Sequence, residues 1–76
     1  MMATKVTVIG GGTMGSGIAQ VCAQNGIKVS IFDVSREALT AAMEEISRNL
    51  DRQIRKHSID ADSRDRILSY IDPIAV

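Results

Sequence analysis

Three glycines that directly follow a short β-type run place the strongest constraint on the fold of this chain. Residues 6–9, Val-Thr-Val-Ile, are all β-branched, and such residues are stiff at χ1 and favour extended backbone. They predict a first strand over Lys5–Ile9. The glycines stand at positions 10, 12 and 15, which is the spacing G-x-G-x-x-G. A strand that leads through this spacing into a helix is typical of a phosphate-binding loop.

Each of the three glycines has a distinct expected role in such a loop. Gly10 permits the tight turn out of the strand, and Gly12 lacks a Cβ, so that a pyrophosphate can approach its backbone. We expect a positive φ at Gly12 as well, and at Gly15 we expect the following helix to pack closely on the sheet. Because six of the 76 residues are glycine, the pattern alone also fits an ordinary tight turn.

The context of the glycines is a second β-type run that ends in an acid. Residues 28–32, Lys-Val-Ser-Ile-Phe, precede Asp33, which lies 21 positions after Gly12 and 18 after Gly15. In dinucleotide-binding units an acid about 20 residues after the glycines accepts hydrogen bonds from the adenosine ribose. The combination therefore predicts such a unit, with the anion at the N-terminus of the helix, where unpaired N–H groups and the helix dipole favour it.

Two helices are expected around the second strand. The first covers Thr13–Gln24 and ends before Gly26, which suits the left-handed position after a helix. The second follows the N-cap candidate Ser35 and extends to about residue 56, with one apolar stripe opposite a charged, solvated face. The stripe consists of Leu39, Met43, Ile46, Leu50 and Ile54.

The remaining segments complete an α/β chain. Residues 1–4 are expected to form a short tail, and residues 63–70 a short helix. Residues 72–76 predict the start of a third strand, in which Pro73 is confined to the first residues or to an edge.

Composition limits the classes of partner. Nine basic and nine acidic residues cancel, so no strong field attracts nucleic acid or an anionic membrane. No apolar run approaches the roughly 20 residues of a membrane span, and the first strand starts so near Met1 that we expect no cleavable signal or transit peptide. The single Cys22 is expected to be a small buried hydrophobe in a reducing, cytoplasmic setting.

Two strings of this sequence resemble the N-terminal NAD-binding domain of the 3-hydroxyacyl-CoA dehydrogenase family, which includes the 3-hydroxybutyryl-CoA dehydrogenases. They are V-T-V-I-G-G-G-T-M-G-S-G-I-A-Q-V-C-A-Q-N-G and V-S-I-F-D-V-S-R-E-A-L. Members share the forms G-x-G-x-M-G-x-G-I-A and D-x-x-x-x-A-L, and the helix-rich insertion before a third strand is also similar. The shared positions beyond the three glycines are Met14, Gly17, Ile18, Ala19, Asp33, Ala38 and Leu39.

The resemblance implies a partial Rossmann fold, βαβα with a short helix and a third parallel strand, which is half of a doubly wound dinucleotide-binding domain. It implies NAD as the cofactor, with backbone amides of Thr13 and Met14 donating to the pyrophosphate and Asp33 accepting from the ribose. Arg36 either stacks on the adenine or is an ordinary surface residue. The implied cofactor-binding residues are Gly10, Gly12, Thr13, Met14, Gly15, Asp33 and Arg36.

The family's catalytic groups have no counterpart in these 76 residues. In the family a Ser, a His with its Glu partner and an Asn, all further along the chain, act on the hydroxyl group and the acyl-CoA, and a helical C-terminal domain completes the site. We therefore assign no catalytic residue and no metal ligand, and we expect the chain to be inactive alone. His57 is interpreted as a solvated loop residue rather than a substitute base.

The resemblance implies the NAD-binding portion of an enzyme whose full-length form oxidises L-3-hydroxyacyl-CoA to 3-oxoacyl-CoA by hydride transfer to NAD. NAD is then the partner of this chain, and the acyl-CoA is a partner only of the full-length protein. Two alternatives stay open. One is a related NAD-dependent hydroxyacid or sugar-acid dehydrogenase, and the other is a non-enzymatic nucleotide-binding module complete at 76 residues.

We also expect a homo-oligomer. Right-handed crossovers place the first two helices on one face of the sheet, so that either the Val6/Val8 side or the Thr7/Ile9 side of the first strand is left bare. The edge of that strand is unpaired too. Self-association through the bare face or the edge follows, with exchange of the long helix between chains as one route.

Overall fold

The computed structural model describes residues 5–10 and 12–76. The elements follow in the order β1 (Lys5–Ile9), α1 (Thr13–Gln24), β2 (Lys28–Asp33), α2 (Arg36–Arg55), α3 (Ala61–Ser69) and β3 (Ile71–Ala75). The predicted α/β fold with a third parallel strand is confirmed. The short tail expected over residues 1–4 lies outside the described residues. None of the helices described is long and apolar enough to cross a bilayer.

Two boundaries differ from the sequence prediction. The short helix α3 starts earlier than residue 63, because the Asp60 carboxylate accepts a hydrogen bond from the Ser63 N–H at 2.7 Å and caps the helix. Strand β3 starts at residue 71 rather than 72, because the Tyr70 carbonyl already accepts a ladder hydrogen bond from the Val29 N–H at 2.9 Å.

The three strands form one parallel sheet in the order β1-β2-β3. The register sets Thr7 beside Ser30 and Ser30 beside Asp72. Helix α1 contacts β1 and β2, and α2 contacts β2 and β3, so both lie on one face, as right-handed crossovers require.

The core is the aliphatic layer between the sheet and the helices. It contains Val8, Ala19, Ala23, Val29, Ile31, Leu39, Ile46, Leu50, Ile67 and Ile71. Leu39, Ile46 and Leu50 come from the predicted stripe of α2, whose other two members are half-buried. Ile46 and Leu50 are fully buried, and burial of each such side chain contributes about 1.5–3 kcal/mol. The stripe therefore holds α2 on the sheet of its own chain, so the structure gives no support to exchange of this helix.

The opposite face of the sheet is not covered by any element that the structure describes. Because side chains alternate along a strand and Val8 is buried in the core, the bare side of β1 is that of Thr7 and Ile9. Ile9 is 82% exposed. The next strand contributes Ser30, whose buried hydroxyl makes no hydrogen bond, and the half-buried Phe32.

The outer edge of β3 is interrupted by Pro73. In a parallel ladder the N–H and C=O of one residue point to the same side, and successive residues point to opposite sides. The Val76 N–H donates to the Asp33 carbonyl at 3.0 Å, so residues 72, 74 and 76 face β2, and Pro73 faces outward. Its missing N–H therefore removes no hydrogen bond between β2 and β3, and the edge position predicted for it is confirmed.

Polar side chains connect α1 to α2. Gln20 Oε1 accepts from Asn49 Nδ2 at 3.1 Å, and Gln20 Nε2 donates to Gln24 Oε1 at 3.3 Å. Gln24 Nε2 in turn donates to Gln53 Oε1 at 2.8 Å. These amides fix the side of α1 that faces α2.

Candidate dinucleotide-binding site

Two of the three glycines of the G-x-G-x-x-G spacing, Gly10 in the turn after β1 and Gly15 in α1, are required by the protein itself. Gly10 has φ 93°, a left-handed conformation that side chains rarely adopt. A Cβ on Gly15 would contact the Gly10 carbonyl oxygen and would lie 3.3 Å from Val8 Cγ1. The expected close packing of α1 at Gly15 is therefore what the structure shows.

Gly12 has no such structural requirement. Its φ is −69° and its ψ is −176°, so the expected positive φ at Gly12 is wrong. The reason is that Gly10 makes the left-handed turn, which leaves Gly12 as the extended N-cap of α1. A Cβ on Gly12 would meet no atom within 4 Å. Neither backbone conformation nor packing explains a glycine here, and the open space lies directly in front of the helix.

The N-terminus of α1 is arranged to receive an anion. The N-cap makes no side-chain hydrogen bond to the first turn, and that turn contains no acidic residue. The first helical hydrogen bond runs from the Ser16 N–H to the Gly12 carbonyl at 2.9 Å. The backbone amides of Thr13 and Met14, which are the two predicted donors, precede this ladder at the positive end of the helix dipole.

Asp33 stands at the same end of the sheet as the glycine turn, because parallel strands end on one side. Its Oδ1 accepts a hydrogen bond from the Ser35 N–H at 2.9 Å, and its backbone carbonyl accepts from the Val76 N–H at 3.0 Å. The half-buried side chain is thus held by the loop between β2 and α2. A carboxylate has about four acceptor positions, so it can also accept from ribose hydroxyls.

A cavity of about 400 Å³ joins the glycine turn to Asp33. It is lined by Ile9, Gly10, Phe32, Asp33, Val34 and Val76. Val34 is 81% exposed, and an apolar wall of this kind suits the flat face of a purine. Sequence reasoning missed Val34 and Val76. The available signal was their position directly after β2 and β3, since ligands of open α/β sheets bind beyond the carboxyl ends of the strands.

Arg36 does not line this cavity. It lies exposed in the first turn of α2 and borders a wider groove of about 700 Å³ with Leu39, Met43 and Pro73. That groove contains neither a glycine of the turn nor Asp33, so we place the site at the smaller cavity. Stacking of Arg36 on adenine stays a prediction.

Two other residues that the sequence singled out lie away from the cavity. Helix α2 begins at the Asp33 end of the sheet and has 20 residues, or about 30 Å of length. His57 follows its far end and is exposed, so it is not placed to act on a bound dinucleotide. Cys22 is half-buried rather than buried, and it packs against the edge of the core.

Comparison with known proteins gives a consistent result. Residues 5–75 match the model of the family described as 3-hydroxyacyl-CoA dehydrogenase, NAD binding domain. A 3-hydroxyadipyl-CoA dehydrogenase of Escherichia coli (strain K12) is 41% identical over 69 residues, which are 91% of this chain and 14% of that protein. A 3-hydroxybutyryl-CoA dehydrogenase of Bradyrhizobium diazoefficiens is 43% identical over 67 residues, 88% of this chain and 23% of that protein.

A solved structure supports the same assignment. The crystal structure of (S)-3-hydroxybutyryl-CoA dehydrogenase from Ralstonia eutropha superposes with a TM-score of 0.95 at 32% identity, and covers 99% of this chain and 26% of that one. The chain thus spans between 14% and 26% of the length of these three relatives. The family model also bears out NAD as the cofactor. The chain belongs to the 3-hydroxyacyl-CoA dehydrogenase family and represents part of its NAD-binding domain.

Proposed function

We propose that this chain binds the ADP half of NAD within an NAD-dependent 3-hydroxyacyl-CoA dehydrogenase. The backbone amides of Thr13 and Met14 hold the pyrophosphate, Asp33 accepts from the adenosine ribose, and the adenine packs against Val34. The observation that carries the proposal is the open space at Gly12. A Cβ added there would meet no atom within 4 Å, so packing does not require a glycine at this position. A pyrophosphate in that space supplies the missing reason for a glycine.

The complete enzyme, on this proposal, oxidises an L-3-hydroxyacyl-CoA to a 3-oxoacyl-CoA while the nicotinamide accepts hydride. The 76 residues alone are inactive, because the Ser, His, Glu and Asn that the resemblance assigns to catalysis have no counterpart here. The acyl-CoA is therefore a partner of the full-length protein only. The printed names of the relatives differ in the acyl group, so the proposal extends to 3-hydroxyacyl-CoA thioesters as a class.

Two further parts of the proposal concern the surroundings of the chain. A reducing, cytoplasmic setting is supported by the cysteine usage, since Cys22 has no second cysteine in this sequence with which to pair. Self-association is supported by the exposed apolar side chains of Met14 and Val21 on α1, which are 80% and 60% exposed.

Calorimetric titration of the 76-residue chain with NAD, ADP and nicotinamide mononucleotide tests the proposal. We expect NAD and ADP to bind with affinities within about tenfold of each other, because only the ADP half has contacts in this chain. Nicotinamide mononucleotide should show no binding, and L-3-hydroxybutyryl-CoA with NAD should yield no NADH. A chain that is folded by circular dichroism yet binds neither NAD nor ADP contradicts the proposal.

A further inference from the structure

Ser35 connects the acid at the end of β2 to the start of α2. Its backbone N–H donates to Asp33 Oδ1 at 2.9 Å, and its carbonyl accepts from the Leu39 N–H at 3.2 Å. Its hydroxyl accepts from the Ala38 N–H at 3.1 Å and donates to Glu37 Oε2 at 3.2 Å. One residue therefore makes hydrogen bonds to the acid on one side and to the first turn of the helix on the other.

The carboxylate of Asp33 depends on such a partner for a defined orientation. The last torsion of an aspartate side chain is broad, so the backbone alone does not fix the plane of the carboxylate. The hydrogen bond from the Ser35 N–H fixes Oδ1, and because the group is planar it fixes the direction of Oδ2 as well. Asp33 is half-buried and lines the cavity at the glycine turn. An acceptor that is already oriented loses less conformational freedom when a ligand binds.

The direction of the Ser35 N–H depends in turn on the helix cap. Ser35 is the N-cap of α2, with φ −99° and ψ 117°. The hydrogen bond from the Ala38 N–H to its hydroxyl holds the residue in this extended conformation. Alanine offers no such acceptor and is a poor N-cap, and helix ends without a cap fray. Loss of the hydroxyl therefore releases the backbone that directs the N–H at Asp33.

Ser35 reaches the cofactor site through Asp33 and not by direct contact. The cavity is lined by its neighbours Asp33 and Val34, while Ser35 is not among the described residues that line it. The proton of its hydroxyl is directed at Glu37. An effect of Ser35 on a bound dinucleotide is therefore an effect on the orientation of the Asp33 carboxylate.

We propose that Ser35 is a positioning residue for cofactor selectivity, whose cap of α2 holds the Asp33 carboxylate toward the adenosine ribose. The inference rests on the proposed function. With NAD, an oriented carboxylate accepts from the 2′-hydroxyl without first losing freedom. With NADP, the same carboxylate is held where it repels the 2′-phosphate and does not turn away. Both effects favour NAD, so the ratio of the two affinities depends on Ser35.

The cap of α3 provides a matched control. Asp60 Oδ1 accepts from the Ser63 N–H at 2.7 Å, as the Ser35 hydroxyl accepts from the Ala38 N–H. Asp60 is also an extended N-cap, with φ −102°. It follows the far end of α2 and does not line the cavity. Asp60→Ala therefore removes a cap of the same kind without changing the loop at Asp33.

Competition titrations with NAD and NADP test the proposal, with urea unfolding of the same samples to give the folded fraction. Ser35→Ala should lower the ratio of NAD to NADP affinity by about fivefold, the effect of about one hydrogen bond. Ser35→Thr keeps the hydroxyl and should keep the ratio. Asp60→Ala should lower stability and leave the ratio unchanged. If Ser35→Ala does not fold, Ser35→Gly serves instead, because glycine is tolerated at an N-cap far better than alanine.

Hydrogen exchange of the backbone amide at position 35 gives a second result. In the unaltered chain this amide should be protected, and Asp33→Ala should remove the protection, since the carboxylate is its acceptor. Ser35→Ala should also speed its exchange, and Asp60→Ala should not.

Three outcomes overturn the inference. One is a Ser35→Ala variant that keeps the ratio of NAD to NADP affinity, and another is a ratio that Asp60→Ala lowers equally. The third is an amide at position 35 whose exchange is the same in the unaltered chain and in Ser35→Ala. A folded chain that binds neither NAD nor ADP contradicts the proposed function itself, so the two failures are distinguishable.

Discussion

Gly15 of α1 lies against the carbonyl oxygen of Gly10, so closely that a Cβ at position 15 would contact that oxygen. The contact is with backbone, which cannot rotate away as a side chain can. We expect Gly15→Ala to lift the start of α1 from the sheet and to lower the free energy of unfolding by about 1–3 kcal/mol. Urea unfolding followed by circular dichroism measures this.

Gly17, in the same helix, is the matched control for that substitution. A Cβ on Gly17 would meet no atom within 4 Å, and alanine favours a helix over glycine by about 1 kcal/mol. Gly17→Ala should therefore leave stability unchanged or raise it. If Gly15→Ala and Gly17→Ala changed the free energy of unfolding equally, the close approach of Gly15 to the Gly10 carbonyl would not be the reason for a glycine at position 15.

Cofactor choice should depend on Asp33. Its carboxylate can accept from the 2′-hydroxyl of NAD but repels the 2′-phosphate of NADP. We expect the chain to bind NAD more tightly than NADP. Asp33→Ala should reduce the ratio of the two affinities, and competition titrations measure both. Arg36 is the residue that could offset the repulsion, yet it borders the neighbouring groove. Arg36→Ala should therefore leave the preference in place, and equal or tighter binding of NADP by the unaltered chain would refute the assignment.

His57 occupies a position that favours glycine. Helix α2 ends with hydrogen bonds from the His57 N–H to the Ile54 carbonyl and from the Ser58 N–H to the Gln53 carbonyl, both at 2.9 Å. Helix α1 ends in the same pattern, but with Gly26 at the left-handed position. His57 has φ 61°. We expect His57→Gly to stabilise the chain by about 0.5–1 kcal/mol.

The reciprocal change at the end of α1 checks that reasoning. Gly26 has φ 76°, so Gly26→Ala should destabilise by about 1 kcal/mol. Thermal or urea unfolding of both variants is sufficient, and a loss of stability in His57→Gly would show that the imidazole makes a contribution larger than the backbone strain.

The cap of α3 should make stability sensitive to acid. The hydrogen bond from the Ser63 N–H, followed by that from the Ser63 side chain, holds the pKa of the Asp60 carboxyl below its ordinary value of 3.8. A carboxyl whose pKa is lower in the folded state stabilises fully above the unfolded value and loses this contribution as pH falls through the folded value. The loss should therefore occur below about pH 3.8. Asp60→Asn keeps the cap without the charge, and its unfolding free energy should lack this component.

The sequence predicted those parts of the fold that depend on local chemistry. The β-branched runs, Gly26 and the N-cap Ser35, whose hydroxyl accepts from the Ala38 N–H at 3.1 Å, act within a few residues, so the pattern alone identifies them. The outward direction of Pro73 could not be predicted, because it depends on which alternate residues of β3 pair with β2. Nor could the sequence show which side of β1, that of Val6 and Val8 or that of Thr7 and Ile9, faces the helices.

The candidate site was predictable to a similar extent. Asp33 and the glycine spacing were recognisable, yet the assignment of a positive φ to Gly12 was wrong because either Gly10 or Gly12 can make the turn. Only the three-dimensional arrangement shows that Gly10 makes it. Val34 was missed since a single valine after a strand has no pattern of its own, and its relation to the cavity depends on β3 ending beside β2.

The central claim is that Gly12 is a glycine for the sake of a bound pyrophosphate. Gly12→Val tests it, with unfolding and NAD titration measured on the same sample. The position is extended and uncrowded, so we predict that the free energy of unfolding changes by less than about 1 kcal/mol, while NAD affinity falls at least tenfold. A variant that loses stability but binds NAD with unchanged affinity in its folded fraction would contradict the account.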